Sequence, residues 1–71
     1  MNDEIYLKRL GKKILHLRNQ KGISQETMAE LINSHHTQIG RIERGEVNPT
    51  INTLRGFAKF FEIEIEELVK V

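Results

Sequence analysis

The chain has 71 residues, no cysteine and a formal net charge of +1, with a hydrophobic fraction of 38% and a charged fraction of 30%. This length allows one small domain and excludes a second catalytic domain, while the lack of cysteine excludes disulfides and thiolate zinc sites. No apolar run reaches the roughly 20 residues of a membrane helix, and the acidic residues 1–4 lack the basic start of a signal peptide. The sequence therefore predicts a soluble cytoplasmic protein without membrane association.

The charge is unevenly distributed along the chain. Residues 1–45 contain eight Lys or Arg and five Asp or Glu, whereas residues 46–71 contain three and five. The two parts carry net charges of +3 and −2. Because an electrostatic field acts locally, the small total hides an electropositive N-terminal part.

Apolar residues recur with helical spacing at the start of the chain. Four of them lie three or four positions apart: Leu7, Leu10, Ile14 and Leu17. This spacing predicts a first helix over about residues 3–21, ended by Gly22. Ser24 is a good N-cap for a second helix over about residues 25–32, and Asn33 tolerates the left-handed conformation that ends it.

Three further helices are predicted in the second half of the chain. Helix three runs over about residues 36–44 and is ended by Gly45. Thr50 caps a fourth helix, whose inward residues are Leu54, Phe57, Ala58 and Phe61. A short fifth helix covers residues 65–69, and the alternation of Ile and Glu over residues 63–65 is too short to indicate a strand. The sequence therefore predicts an all-α, five-helix domain over residues 1–71.

Helices two and three are short and separated by three or four residues, which is typical of a helix-turn-helix over about residues 24–44. The outer face of helix three is predicted to carry His36, Thr37, Gly40, Arg41 and Arg44. None of these is acidic, as expected of a helix that faces phosphates and base edges in the DNA major groove.

Glycine within a helix costs about 1 kcal/mol relative to alanine. At Gly40, either close approach to DNA or simple tolerance in a short packed helix would account for this cost. Gly56 in helix four carries the same cost without any DNA-related reason, so both interpretations of Gly40 stay open.

Three motifs at fixed distances add a family resemblance: Ser24-Gln25-Glu26 with Met28-Ala29, then Ile39-x-x-Ile42-Glu43-Arg44-Gly45, then Asn48-Pro49-Thr50 and Leu54. Over about residues 7–69 the sequence resembles the phage repressor and Cro-type (XRE-like) helix-turn-helix family. The resemblance implies a lambda-repressor-like fold and a transcription regulator that inserts helix three into the major groove. It departs from the family pattern at Ser34, His35 and Glu62, which affects the turn, the start of helix three and the end of helix four.

The resemblance, taken with the chemistry of the side chains, assigns roles to individual residues. Base contacts are predicted for His36, Thr37, Gly40 and Arg41, and backbone contacts for Gln25, Gln38, Arg44 and Thr50. Gln25 is also expected to brace the start of helix three. Arg18 and Glu43 are expected to form a structural ion pair between helices one and three.

The C-terminal segment holds more apolar side chains than a small domain easily covers, which predicts a homodimer interface. Its residues are Ile63, Ile65, Leu68 and Val69. The alternative is that these side chains all fold inward as core. A two-fold dimer would bind a near-palindromic operator and repress by occluding a promoter.

Other classes of function find little support in the sequence. The three histidines, His16, His35 and His36, do not converge on a metal site, and no cofactor motif or catalytic constellation is present. We therefore expect a non-enzyme whose partner is double-stranded DNA. The main alternative is an antitoxin-like module on the same fold, whose chief partner is another protein.

Overall fold

A computed structural model of the chain describes residues 3–71. Residues 1 and 2, which the predicted domain includes, lie outside the described part. Five helices follow one another: α1 (Asp3–Lys21), α2 (Gln25–Leu31), α3 (His36–Glu43), α4 (Ile51–Phe61) and α5 (Ile65–Val69). The predicted all-α fold is confirmed over these residues, and residues 63–65 lead from α4 into α5 without forming a strand.

Side-chain caps explain where two of the helices begin. Ser24 Oγ accepts a hydrogen bond from the Thr27 backbone N–H at 3.0 Å, and Thr50 Oγ1 accepts one from that of Thr53 at 3.2 Å. Each bond satisfies a donor that the first turn of a helix leaves without a backbone partner. His35 precedes α3 but makes no such bond, so packing and not capping fixes the start of that helix.

Helices α1 to α4 are each followed by a left-handed residue. Gly22 and Gly45 have φ values of 70° and 74°, and Asn33 has a φ of 56°. Glu62 ends α4 with a φ of 60°, although a residue with a Cβ costs roughly 1–2 kcal/mol in this conformation. The departure from the family pattern at Glu62 therefore still allows α4 to end in a left-handed residue, but it lowers the stability of the protein.

The core is built around α1, which contacts α3, α4 and α5, and around α3, which also contacts α2. Its most deeply buried side chains are Ile14, Met28, Ile39, Ile42, Phe57 and Leu68. The rings of Phe57 and Phe61 stack with centroids 6.0 Å apart. All five helices contribute side chains to this cluster, so each helix depends on the others to bury its apolar face.

Gly11 allows α1 and α3 to touch through their backbones. A Cβ atom built on Gly11 would lie 2.5 Å from the carbonyl oxygen of Glu43 and would also overlap that of Ile42. No side chain fits in that space, so α1 is held directly against the end of α3.

The short helix α5 is attached to α1 through its C-terminal carbonyl groups. Lys13 Nζ donates to the carbonyl oxygens of Glu67 and Lys70, and the Tyr6 hydroxyl donates to that of Val69. A five-residue helix is not stable by itself, so these bonds and the burial of Leu68 hold it in place. Among the described residues, no helix has the length and apolar character needed to cross a membrane.

Candidate nucleic-acid interface

Helices α2 and α3 form the predicted helix-turn-helix. The turn between them closes through the Ser34 N–H, which donates to the Ala29 carbonyl at 2.7 Å. Ala29 is buried at the crossing of the two helices, where a small side chain permits their close approach. The polar Ser34 is compatible with the turn because its backbone makes the closing bond.

The outer face of α3 presents three exposed side chains: His36, Thr37 and Arg41. Arg44, which caps the helix, is exposed as well. Ile39 and Ile42 point into the core on the opposite side. The helix is thus anchored by its apolar face and offers an aromatic nitrogen base, a hydroxyl and two guanidinium groups to solvent.

The single carboxylate of α3 belongs to Glu43 and is turned inward. Arg18 Nε donates to its Oε2 at 2.6 Å and Arg18 Nη2 donates to its Oε1 at 3.1 Å. The third nitrogen of the guanidinium, Nη1, donates to the Ile23 carbonyl at 2.8 Å. Both residues are more than nine-tenths buried, so the pair joins α1, α3 and the loop before α2 inside the protein. This is the ion pair that the resemblance implies.

Gln25 crosses from the start of α2 to the middle and end of α3. Its Nε2 donates to Glu43 Oε1 at 2.9 Å, and its side chain lies over Gly40. The expectation that Gln25 braces the start of α3 is therefore corrected to a more C-terminal part of the same helix. Because Gln25 is half-buried, one side of its amide stays at the surface.

The prediction that Gly40 lies on the outer face of α3 is wrong. Gly40 is buried, and a Cβ built on it would lie 3.3 Å from Gln25 Oε1 and 3.0 Å from Arg44 Nη1. With Ile39 pointing inward, residue 40 lies about 100° around the helix, at the border with α2. The glycine therefore makes room for the side chain of Gln25, and a base contact by Gly40 has no surface from which to act.

The packing around Gly56 does not require a glycine. A Cβ at this position would lie 3.4 Å from Cβ of Ile32, which is an ordinary van der Waals contact. Gly56 faces Ile32 at the end of α2, and the space there admits a methyl group.

Glu46, which follows the glycine that ends α3, lies beside the two exposed arginines. Glu46 Oε2 accepts a hydrogen bond from Arg44 Nε at 2.5 Å, and Glu46 Oε1 lies 4.0 Å from Arg41 Nε. The hydrogen bond from Arg44 lowers the pKa of Glu46 below its ordinary value and raises the pKa of Arg44. The proximity of Glu46 to a left-handed Gly45 turn was the available signal.

The other two predicted backbone contacts lie at the edges of the same surface. Thr50 is exposed and its hydroxyl is already engaged in capping α4, while Gln38 is half-buried on α3. A groove of about 390 Å³ continues from Arg44 towards α1. Its lining includes Lys8, Arg9 and Lys12. The positive surface therefore extends beyond the helix-turn-helix.

The C-terminal residues predicted to form a dimer interface do not share one environment. Ile63, Ile65 and Val69 are half-buried, whereas Leu68 is fully buried within the chain. Leu68 packs inward and meets the core that α1 and α4 contribute, since both of these helices contact α5. It is therefore removed from the predicted interface, which keeps the three half-buried residues.

Comparison with known proteins identifies the fold. The Helix-turn-helix family HTH_3 matches residues 14–68, which include α2, α3 and α4. The chain belongs to this family. Members of the Helix-turn-helix family include DNA-binding transcription regulators, in agreement with the resemblance seen in the sequence motifs.

Two curated proteins are similar to the chain. The HTH-type transcriptional regulator PuuR of Escherichia coli (strain K12) is 37% identical over 57 residues, which cover 80% of this chain and 31% of PuuR. The control protein C.SmaI of Serratia marcescens is 37% identical over 60 residues, which cover 84% of this chain and 71% of C.SmaI. The chain thus spans about a third of the length of PuuR but most of that of C.SmaI.

A solved structure of similar size has the same fold. The restriction-modification controller protein C.AhdI from Aeromonas hydrophila superposes with a TM-score of 0.82 and 35% sequence identity. The match covers 87% of this chain and 94% of C.AhdI. The likeness therefore extends over nearly the whole of that controller protein.

Proposed function

We propose that this protein is a sequence-specific DNA-binding transcription regulator that places α3 in the major groove. The observation that carries the proposal is the inward rotation of the only α3 carboxylate, Glu43, onto Arg18. The exposed face of α3 therefore offers donors and a methyl group without a carboxylate of its own, and the Glu46 carboxylate on the following turn is paired with Arg44. This arrangement suits a polyanionic partner better than a neutral one.

The size and chemistry of α3 fit the major groove. Eight residues give a helix about 12 Å long, and the groove is about 12 Å wide. Arg41 has the geometry for a bidentate contact with guanine, and the Thr37 methyl group suits the methyl group of thymine. His36 completes the base-reading set in the first turn of the helix.

The backbone of the DNA would be held beside the C-terminal half of α3, next to Gly40. Arg44 offers a guanidinium at the C-terminal end, and Gln25 offers the outer edge of its amide from α2. Gln38 and Thr50 add neutral donors at the sides of the surface. Contacts of this kind fix the register of the protein on the duplex and carry no sequence information themselves.

We propose further that two copies pair through the C-terminal segment and bind a near-palindromic operator. Ile63, Ile65 and Val69 supply apolar surface beside α5. A two-fold axis there would present two α3 helices about 34 Å apart, one turn of DNA. Repression by occlusion of the promoter is the simplest outcome, and the likeness to the controller protein C.AhdI supports a regulatory role for a domain of this size.

A protein-binding, antitoxin-like module is the second candidate. Leu31 and Ile51 are large apolar side chains with exposures of 56% and 62%, outside the proposed base-reading surface. Such side chains favour a protein partner over a nucleic acid. DNA binding would then be secondary on the same fold.

Selection of bound duplexes from a randomised DNA pool, followed by titration of salt, tests the proposal. We expect a near-palindromic consensus with two half-sites about one turn apart and an affinity that falls steeply with salt. A binder that uses apolar protein contacts keeps its affinity as salt rises. Failure to enrich any sequence, with no shift of a duplex at low salt, would overturn the DNA-binding function.

A further inference from the structure

The turn that ends α3 fixes the position of Glu46. The Gly45 N–H donates to the Ile42 carbonyl at 3.0 Å, and the Glu46 N–H donates to the Arg41 carbonyl at 2.9 Å. These two bonds form a Schellman motif, which brings the side chain after the glycine beside the last turn of the helix. The backbone therefore directs the Glu46 carboxylate towards the arginines of α3.

The carboxylate binds Arg44 along one edge of the guanidinium. Arg44 Nε lies 2.5 Å from Oε2 of Glu46, and Arg44 Nη2 lies 3.5 Å from its Oε1. The side chains of Arg44 and Glu46 are 58% and 48% exposed, so the pair forms in open solvent. It lies on the surface that the proposed function gives to the DNA backbone.

Carboxylates and phosphates use the same edge of a guanidinium. Both accept paired N–H···O bonds from it, so an arginine cannot give that edge to both at once. An exposed ion pair is weak and exchanges easily, whereas DNA offers a dense row of phosphates. A phosphate can therefore displace Glu46, at the cost of the bonds that the carboxylate made.

We propose that Glu46 competes with a DNA phosphate for Arg44 and thereby limits how tightly the protein binds DNA of any sequence. This inference rests on the proposed function. The effect is independent of sequence because Arg44 faces the backbone. Arg41 contributes less to the competition, since its Nε is 4.0 Å from the carboxylate.

Glu46→Gln tests the competition, because glutamine keeps the size of the side chain and removes its charge. We expect binding to tighten roughly two- to tenfold, both on duplexes selected from a random pool and on one of arbitrary sequence. The slope of log affinity against log salt should steepen by up to about 0.9. Fluorescence anisotropy with labelled duplexes of roughly 21 base pairs measures both quantities.

Two controls separate local competition from a change in net charge. Glu66→Gln makes the same change on α5 and, measured on a single half-site so that pairing does not contribute, should leave the affinity nearly unaltered. In an Arg44→Gln background, Glu46→Gln should give little further gain, because the contested guanidinium is gone. Unfolding midpoints measured by circular dichroism show that each variant is folded, as expected for exposed positions.

Different outcomes would contradict the competition for Arg44 and DNA binding itself. A gain that persists undiminished in the Arg44→Gln background, or no gain at all, would overturn the competition while DNA binding stands. A loss of preference at a single base would overturn it too, because Glu46 would then orient Arg41. A wild-type protein that binds no duplex at low salt would overturn both the inference and the proposed function.

Discussion

Arg18 and Glu43 form a bidentate ion pair across the contact between α1 and α3, with Nε–Oε2 and Nη2–Oε1 distances of 2.6 Å and 3.1 Å. Gln25 adds a third donor to the same carboxylate. A single buried carboxylate thus joins the first three helices. It also removes negative charge from the surface of the helix proposed to read DNA.

Substitution of Glu43 should destabilise the protein strongly. Glu43→Ala leaves the Arg18 guanidinium buried without its counter-charge, and such a loss costs roughly 3–5 kcal/mol. Glu43→Gln has one acceptor for the three donors that the carboxylate serves, so it should also lose stability. Thermal unfolding of the two variants measures the effect. A loss of only a few tenths of a kcal/mol would place the pair among ordinary surface ion pairs.

Arg41 and Arg44 should respond differently to truncation. Arg41→Ala should cost about 1–3 kcal/mol on the preferred site and relax the specificity at one base position. Arg44→Ala should weaken binding to all sequences alike and make the salt slope shallower by roughly one unit. Binding to a panel of single-base operator variants distinguishes them. The reverse pattern would mean that α3 lies differently in the groove.

The helical glycines provide a matched pair of stability tests. Gly56→Ala adds a methyl group at ordinary contact distance from Ile32 and should raise the stability by up to about 1 kcal/mol through helix propensity. Gly11→Ala forces a methyl group into the carbonyls of α3 and should lower the stability by at least about 1–3 kcal/mol. Chemical denaturation measures both. Equal effects of the two substitutions would contradict the close contact between α1 and α3.

The carboxyl group of Glu46 should titrate below the ordinary glutamate value of about 4.3 because Arg44 donates a hydrogen bond to its charged form. The lowered pKa means that the pair's contribution to stability is present above the unfolded-state pKa and is lost as pH falls through the folded-state value. Carbon-detected NMR titration of the side chain measures the shift. In Arg44→Ala the pKa should return towards the ordinary value, and an unaltered titration would show that Arg44 is not its cause.

The proposed dimer should depend on the surface beside α5. Ile65→Asp introduces a charge there and should yield monomers, whereas Ile51→Asp makes the same change at an exposed site on α4 and should not. Association in the micromolar range is expected, because Glu64, Glu66 and Glu67 bring like charges near the axis. Sedimentation measures the state, with far-ultraviolet circular dichroism to verify folding. A wild type that stays monomeric and binds half-sites as tightly as full operators would exclude the dimer.

The helix boundaries were predictable from local chemistry. Ser24 and Thr50 mark the starts of α2 and α4, and Gly22 and Gly45 mark the ends of α1 and α3. Each signal acts within one turn of the chain, so sequence spacing is enough to read it. The predicted bounds consequently agree with the structure to within one residue where they were given.

Several contacts between helices were missed or misplaced, although the family resemblance supplied the Arg18–Glu43 pair. Gly11 shows no signal in the sequence because the carbonyls that exclude a side chain belong to another helix. Gly40 lies at the border of α3, and only the crossing angle of α2 determines that Gln25 covers it. Leu68 and Ile65 both lie on a helix of five residues, where spacing cannot decide which side chain reaches the core.

In the proposed dimer, the packing of α1 would set the distance between the two α3 helices. This first helix spans 19 residues, about 28 Å, and touches the end of α3 at Gly11 while Lys13 and Tyr6 hold α5. Helix α1 therefore connects α3, which is proposed to read DNA, with the proposed dimer surface beside α5. A packing change that tilts α1 would alter the distance between the two α3 helices of the proposed dimer. The number of base pairs between the half-sites of the proposed operator would then depend on the packing of α1 as well as on the residues proposed to contact the bases.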